Sequence, residues 1–343
     1  MNMGQFKKLL KSHEISSFLF LAALFVIVGW VNPSFLQPTS ILNCFNDSVV
    51  FTLLAVGIAF VILTGEIDVS IGATLGMSAA VGATLLRDGS SWLVAVLAAV
   101  VIGAVMGLVN GFGVAVLNIP SLIFTLGVNG VARGLIYVYT KGAWVENLPA
   151  DYTKLSSKPL VGNLTIFYAV TIVGVIVLHF VLTRTKRGKY FIAVGDNAAG
   201  ANLVGIPAKQ TKIMAYVLCG VFAAIAGMIY TSRIGFITPM AGNSYEMKAI
   251  AACVLGGISL SGGQGSLIGA SIGAVILSSI SRILVFLGFS SDYDNTITGI
   301  LLITIVVINT VAQNRAILKN RHQILAARVA LKTEDADTKG GLQ

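Results

Sequence analysis

Charge is what this chain has least of. Only 11% of its 343 residues are Asp, Glu, Lys or Arg, 56% are hydrophobic, and the mean hydropathy is +0.87. A soluble domain carries roughly 25% charged residues, so folding in water would leave too few polar groups to cover the outside; the bilayer is this chain's solvent. Histidine is scarce too. His13, His179 and His322 stand far apart, which excludes a clustered metal site and a buried Ser-His pair. Cys44, Cys219 and Cys253 lack metal-like spacing and read as small membrane-buried hydrophobes. An intramembrane protease would need paired aspartates or an activated serine at mid-membrane, and neither is visible.

What is present is a series of long apolar runs. Windows of about 20 residues place spans at 15–31, 47–64, 68–86, 92–117, 119–139, 163–182, 211–231, 246–262, 265–287 and 293–311. This predicts an all-α polytopic membrane protein of about ten transmembrane helices, since barrel strands alternate apolar and polar over about 10 residues. Only Gly65 to Ile67 separate the second and third spans, which leaves room for a broken helix. The first span follows Lys7, Lys8 and Lys11 but ends in Trp30-Val31-Asn32-Pro33, without a small-x-small cleavage pattern. It reads as an uncleaved anchor rather than a secretory signal.

Lys and Arg fix the expected orientation. With the N-terminus inside, fifteen of the 23 fall on the inner side: Lys7, Lys8 and Lys11, six between Arg184 and Lys212, and six from Arg315 to Lys339. The outer side holds Arg87, Lys141, Lys154, Lys158 and Arg233. Both termini are therefore expected in the cytoplasm, and the net charge of +9 reads as this bias plus attraction to anionic lipid rather than to nucleic acid. The organisation that follows is a cytoplasmic segment 1–14, a transmembrane domain 15–311, and a cytoplasmic basic helix with a disordered tail over 312–343. The domain includes an outer loop 140–162, suited to cap a pore or touch an external partner, and an inner loop 183–210. Within the inner loop a small helix between Asn197 and Val204, capped by Asp196 or Asn197, fits the capping preferences.

The 37 glycines need a reason, because each costs helix propensity. Gly103, Gly107 and Gly111 recur every four residues, as do Gly265, Gly269 and Gly273, with Gly72 and Gly76 a shorter case. Such stripes let backbones approach closely in lipid. Leu260-Ser261-Gly262-Gly263-Gln264 spells the signature of ATP-binding cassette ATPases. No GxxxxGK[ST] phosphate loop accompanies it, so it reads as a tight glycine turn between the eighth and ninth spans.

Ionisable groups at the midplane would mark an ion-coupled secondary transporter. Here Glu66 and Asp68 fall in an inner turn, and Glu246, Lys248, Asp292 and Asp294 at outer span starts. Arg133 and Arg282 sit inside spans, within reach of the outer end for snorkelling. Energy is then expected from a partner, with the secondary transporter of small polar solutes as the alternative. Asn110, Asn129 and Tyr137 are the polar span residues that are candidates for lining a path, their other use being interhelical hydrogen bonding.

From about Phe18 to Asn309 the chain also carries a resemblance. Val61-Ile-Leu-Thr-Gly-Glu-Ile-Asp-Val-Ser70 resembles the ILTGGIDLS-type segment of ribose-class permeases of ATP-binding cassette importers, with glycine in most relatives where Glu66 stands. Ile119-Pro120, Thr125-Leu-Gly127 and Arg133-Gly134 look like the next landmark, and Gly242 to Gly273, including Glu246, like the carboxy-terminal hallmark. Arg187-Gly188-Lys189, Ala193-Val-Gly-Asp-Asn197 and Gly205-Ile206 are similar to the loop that docks on the ATPase. Trp144, Glu146, Leu148-Pro149-Ala150 and Glu246 to Cys253 look most like the autoinducer-2 permeases, with rhamnose and ribose permeases close.

The resemblance implies a type II importer-like permease fold in a bacterial plasma membrane, the inner membrane if Gram-negative. It implies no cofactor, ATP being used by a cytoplasmic ATPase dimer, and no enzymatic activity of the chain itself. It also implies a second permease, identical or homologous, and an external binding protein that delivers a sugar-like ligand. Gly195, Asp196, Asn197, Gly200 and Gly205 are the residues it assigns to ATPase coupling. A reporter fused after Lys189 is expected to signal cytoplasm and one fused near Asp151 the outside; a cytoplasmic signal at Asp151 would sink the ten-span arrangement.

Overall fold

The computed structural model describes residues 13–290, 293–304 and 307. The chain divides into a large unit, Met1–Thr298, and a small one, Gly299–Gln343. In chain order the large unit has α1 (His13–Val31), a 3-10 turn (Pro33–Leu36), α2 (Pro38–Asp47), α3 (Val49–Leu63), α4 (Ile71–Arg87), α5 (Trp92–Ala115), α6 (Ser121–Thr140) and α7 (Ala150–Leu155). A hairpin of β1 (Pro159–Val161) and β2 (Leu164–Thr165) follows, then α8 (Ile166–Arg184), α9 (Lys186–Asp196), α10 (Ala198–Leu203), α11 (Ala208–Ile234), α12 (Tyr245–Leu255) and α13 (Leu267–Phe286). The described part of the small unit, 299–304 and 307, is helical.

Among the described residues six helices are long and apolar enough to cross a membrane: α1, α5, α6, α8, α11 and α13. The pair α2 and α3, bent by 41°, makes a seventh, and α4 is apolar but shorter. Of the expected ten, those at 68–86, 246–262 and 293–311 are not among these seven, and bounds differ elsewhere. The span expected at 47–64 begins only at Val49, α2 being a separate piece. The span expected over 246–262 ends at Leu255, because Gly256 and Gly257 follow, the latter at φ +84, and turns continue to Ser266. Most of the expected tenth span beyond 304, the basic helix and tail, and residues 1–12 lie outside the described residues.

The centre of the bundle is α11, and small residues let its neighbours in. A Cβ on Gly103 would stand 2.2 Å from the Gly220 carbonyl, one on Gly220 2.0 Å from the Gly103 carbonyl, and one on Gly107 2.2 Å from the Tyr216 carbonyl. Backbone therefore meets backbone along α5 and α11, the contact that association in lipid relies on in the absence of a hydrophobic drive. Every residue of α3 except Phe51 is buried, as expected of a helix that is hydrophobic all round. Gly273 packs against the Ala252 carbonyl of α12 and Gly269 against that of Gly256 just past its end, whereas Gly265 belongs to the turn before α13. The other face of α5, with Leu97, Val101, Val105 and Leu108, is exposed.

The loop after α6 folds over the end of α11. Trp144 stacks on Phe236 with centroids 5.2 Å apart and planes at 5°. Val145 and Ile237 exchange backbone hydrogen bonds of 2.9 and 3.0 Å. The Tyr152 hydroxyl donates to the Met228 carbonyl at 2.5 Å and lies 2.8 Å from Thr231 Oγ1. Burial pushes this phenol up to about 12, so it stays protonated and keeps its donor.

Gly107→Ala is expected to lower the unfolding temperature in detergent, by a destabilisation of about 1–3 kcal/mol for overpacking. Gly127→Ala, at a position with no atom within 4 Å of an added Cβ, should leave it unchanged or raise it. Equal losses in the two variants would refute the α5–α11 contact as the tight one.

Candidate functional site

The loop over 183–210 builds two helices in succession. Thr185 caps α9, its hydroxyl accepting from the Gly188 N–H at 3.0 Å, and Asn197 ends α9 and caps α10 by accepting from the Gly200 N–H at 2.8 Å. Gly195 and Asp196 thus lie in the last turn of α9, and Gly200 lies inside α10. Gly205 follows α10 at φ +81 with no atom near an added Cβ. At the end of α10, Leu203 and Val204 are 89% and 76% exposed. Sequence reasoning passed over these two, although an apolar pair in a polar inner loop is itself a signal for a contact surface.

The base of this helical pair is keyed into the bundle. A Cβ on Gly195 would sit 1.9 Å from the Leu63 carbonyl and 2.5 Å from the Gly263 amide. That amide donates to the Leu63 carbonyl at 3.0 Å. Gly262 and Gly263, at φ +83 and +72, press on Gly65 and Asp196. The signature-like string Leu260 to Gln264 is thus a left-handed turn that needs glycine twice and locks α9 to the end of α3.

Residues 64–70, between α3 and α4, are held from three sides. Asp68 is 2% exposed and accepts from the Ser70 amide at 2.8 Å and the Ser70 hydroxyl at 2.7 Å. Asn110 Nδ2 donates to Ser70 Oγ at 2.7 Å and to Asp68 Oδ2 at 3.3 Å. The Ile67 and Val69 amides donate to the Ser121 and Thr125 hydroxyls, and Tyr216 donates to the Ile67 carbonyl. Glu66 pairs with Lys212 at 2.5 Å. Irregular backbone within a membrane protein survives only where protein satisfies it, and this segment meets that condition.

Along α6, Ser121, Thr125, Asn129, Arg133 and Tyr137 recur every fourth residue, a polar line winding slowly round the helix. The first two are engaged by residues 64–70. Asn129 Oδ1 is buried without a partner, and Tyr137 is 44% exposed. Asn129 and Tyr137 thus share the line, whereas Asn110 is committed to Asp68.

Both span arginines have partners within the protein. Arg133 lies roughly 18 Å along a helix of about 30 Å, and its Nη1 donates inward to the Ala241 carbonyl at 2.6 Å. Arg282 donates to Asp47 at 2.5 Å, and Arg233 also pairs with Asp47. Inward partners win because a charge facing lipid costs several kcal/mol. Glu246 likewise is 8% exposed rather than at an open outer start, and Lys248 pairs with Asp294 beside the Phe51 ring.

Two cavities, of about 400 and 480 Å³, adjoin the Asp47 cluster. The first lies between Asn43, Asn46, Ser156, Asn163 and Thr165, the second against Phe51, Ser278, Ser281 and Phe286.

The family described as branched-chain amino acid transport system / permease component matches residues 40–306, and the chain belongs to it. The chain is 41% identical over 303 residues, 88% of each chain, to the autoinducer 2 import system permease protein LsrC of Enterobacter sp. (strain 638). It is 40% identical over 296 residues to the proteins of that name from Salmonella choleraesuis (strain SC-B67), covering 86% of this chain and 85% of the relative, and Escherichia coli (strain K12 / DH10B), covering 86% of each. No solved structure matches. The chain is a multi-pass permease subunit of the ATP-binding cassette import type, in a bacterial plasma membrane.

Glu66→Gly is expected to destabilise the protein by stranding Lys212 half-buried, and Lys212→Ala should add little once Glu66 is gone. A double-mutant cycle on thermal unfolding should return a coupling of about 0.5–3 kcal/mol. Additive losses would mean that the pair contributes nothing.

Proposed function

We propose that this permease carries autoinducer 2 or a closely similar sugar-like ligand along the polar line of α6, driven through α10 by a cytoplasmic ATPase dimer. An external binding protein delivers the ligand, and a second permease subunit, identical or homologous, completes the path. The observation that carries the reading is the α6 line itself: five polar side chains at four-residue spacing run the length of one transmembrane helix, and two of them hold buried atoms without partners. The printed names of the relatives supply the ligand.

Coupling through α10 is supported by its exposed Leu203 and Val204 and by the glycine key beneath it. A soluble partner that covers the apolar tip pushes on a helix pair whose base touches α3 and the 259–266 turn. The chain itself has no ATPase site, in keeping with the turn conformation of Leu260 to Gln264. The inner placement of this region, with both termini cytoplasmic, rests on the Lys and Arg distribution.

One observation favours an ion-coupled secondary transporter instead, namely the two buried acids Asp68 and Glu246. Reconstitution decides between them. Purified permease alone should show no ATP turnover, and uptake into liposomes should require the ATPase, ATP and the binding protein. Uptake that persists without ATP and follows a proton gradient would select the alternative. Gly200→Pro, which removes the amide that Asn197 caps at the start of α10 and so costs about 0.5–2 kcal/mol there, should lower uptake and ATPase co-purification while insertion is normal. Wild-type values of both would overturn the coupling assignment.

A further inference from the structure

One contact inside the bundle serves neither the coupling region nor the packing of α5 on α11. Glu246 Oε2 and Arg133 Nη2 are both buried, and neither has a hydrogen-bond partner. Both face the same point on α4: a Cβ on Gly72 would lie 2.3 Å from Glu246 Oε2 and 3.4 Å from Arg133 Nη2. Opposite charges this near would be expected to pair, yet among the described residues Arg133 and Glu246 form no ion pair. Arg133 is instead anchored through its other nitrogen to the Ala241 carbonyl, and Gly76 passes under the same guanidinium, 3.5 Å from Nη1 for an added Cβ. The carbonyls of Ala241 and Gly242 stand 2.7 and 2.4 Å from Cβ atoms built on Gly76 and Gly72. Side chains are thus excluded from α4 at this level, and the guanidinium is held by its bond to the Ala241 carbonyl.

A buried charged group without a partner is costly, more so than a neutral one. The pair therefore persists where something else completes it. The two distances from the Gly72 position limit the separation of Glu246 Oε2 and Arg133 Nη2 to less than about 6 Å, which one oxygen making hydrogen bonds of about 2.8 Å on each side can bridge. A hydroxyl donates to the carboxylate and accepts from the guanidinium at once. An ammonium nitrogen only donates and a carboxylate oxygen only accepts, so neither group of an amino-acid zwitterion can bridge the two heads alone as a hydroxyl does.

We infer that Arg133 and Glu246, across Gly72 and Gly76, form a contact point for one hydroxyl of a neutral polyhydroxylated solute as it passes along α6. The site is occluded in this conformation, both heads being buried, and it belongs to the α6 path proposed above, on which it rests. Its chemistry is that of a checkpoint rather than a store: a single shared hydroxyl holds the solute weakly and lets it leave.

The test uses the complete importer in proteoliposomes, with autoinducer 2 loaded on the binding protein as the probe. Glu246→Gln keeps the size of the side chain and removes the charged acceptor. Autoinducer 2 uptake should fall at least tenfold, while ATP hydrolysis stimulated by the binding protein, subunit co-purification and unfolding temperature stay within twofold or a few degrees of the parent. Arg133→Lys, which removes the second guanidinium nitrogen but keeps the charge, should lower the solute carried per ATP in the same way and stands in if Glu246→Gln does not assemble. Uptake within twofold of the parent in both variants would overturn the assignment. A joint loss of uptake, ATPase and unfolding temperature in both would overturn it too, showing a structural pair. Asn129→Trp separates this from the path reading: if it blocks uptake while Glu246→Gln and Arg133→Lys do not, the α6 path stands and the hydroxyl contact falls. If none of the three affects uptake, the path falls with it.

Discussion

The structure depends on one constraint: within lipid, each backbone polar group must find its partner inside the protein. Straight helices satisfy that rule on their own. The interest of this fold lies where they stop, at residues 64–70 and 235–244 and in the turn 256–266, because there the partners come from elsewhere in the chain. Ser121 and Thr125 of α6 take the amides of the first break, Asn110 of α5 and Ser70 take its carboxylate, and Leu63 takes the amide of Gly263. Each unwound segment is therefore fastened to several helices, and none of them can shift without disturbing those helices.

Glycine makes this fastening possible in two distinct ways. Along α5 and α11 it removes side chains so that two helices can touch backbone to backbone. At Gly262 and Gly263 it supplies the left-handed turn that no side-chain-bearing residue adopts cheaply, and the turn then fits against Gly195 and Gly65. The first use gives rigidity and the second gives a joint. A permease needs both, since one helix pair must stay fixed while another part responds to a soluble partner.

Much of the architecture is legible in the sequence because hydropathy and glycine spacing are local properties. The end of α1 at Val31, the start of α5 at Trp92, the stripe Gly103 to Gly111, the short helix after Asn197 and the turn at Leu260 to Gln264 all announce themselves within a few residues. What is not legible depends on depth and direction. Glu246 follows a long apolar helix and so reads as lying at a membrane edge, but the irregular stretch 235–244 carries it into the bundle beside Gly72. Arg133 is near enough to a helix end to snorkel in principle, and only the position of the Ala241 carbonyl shows that it turns the other way. The partner of Glu66 lies 146 residues along the chain, a pairing that no local pattern encodes.

The unbroken length of α11 has a mechanical consequence. It runs from Ala208, close behind α10, to Ile234, beneath Tyr152 and the stacked Trp144 and Phe236. At 1.5 Å per residue that is a strut of about 40 Å, longer than the hydrocarbon layer is thick, and it contains no hinge. An axial displacement imposed at its Ala208 end arrives undiminished at the other. A signal passed along this strut would need no relay of side-chain rearrangements, and α5, held to it backbone to backbone, would travel with it as one rigid body.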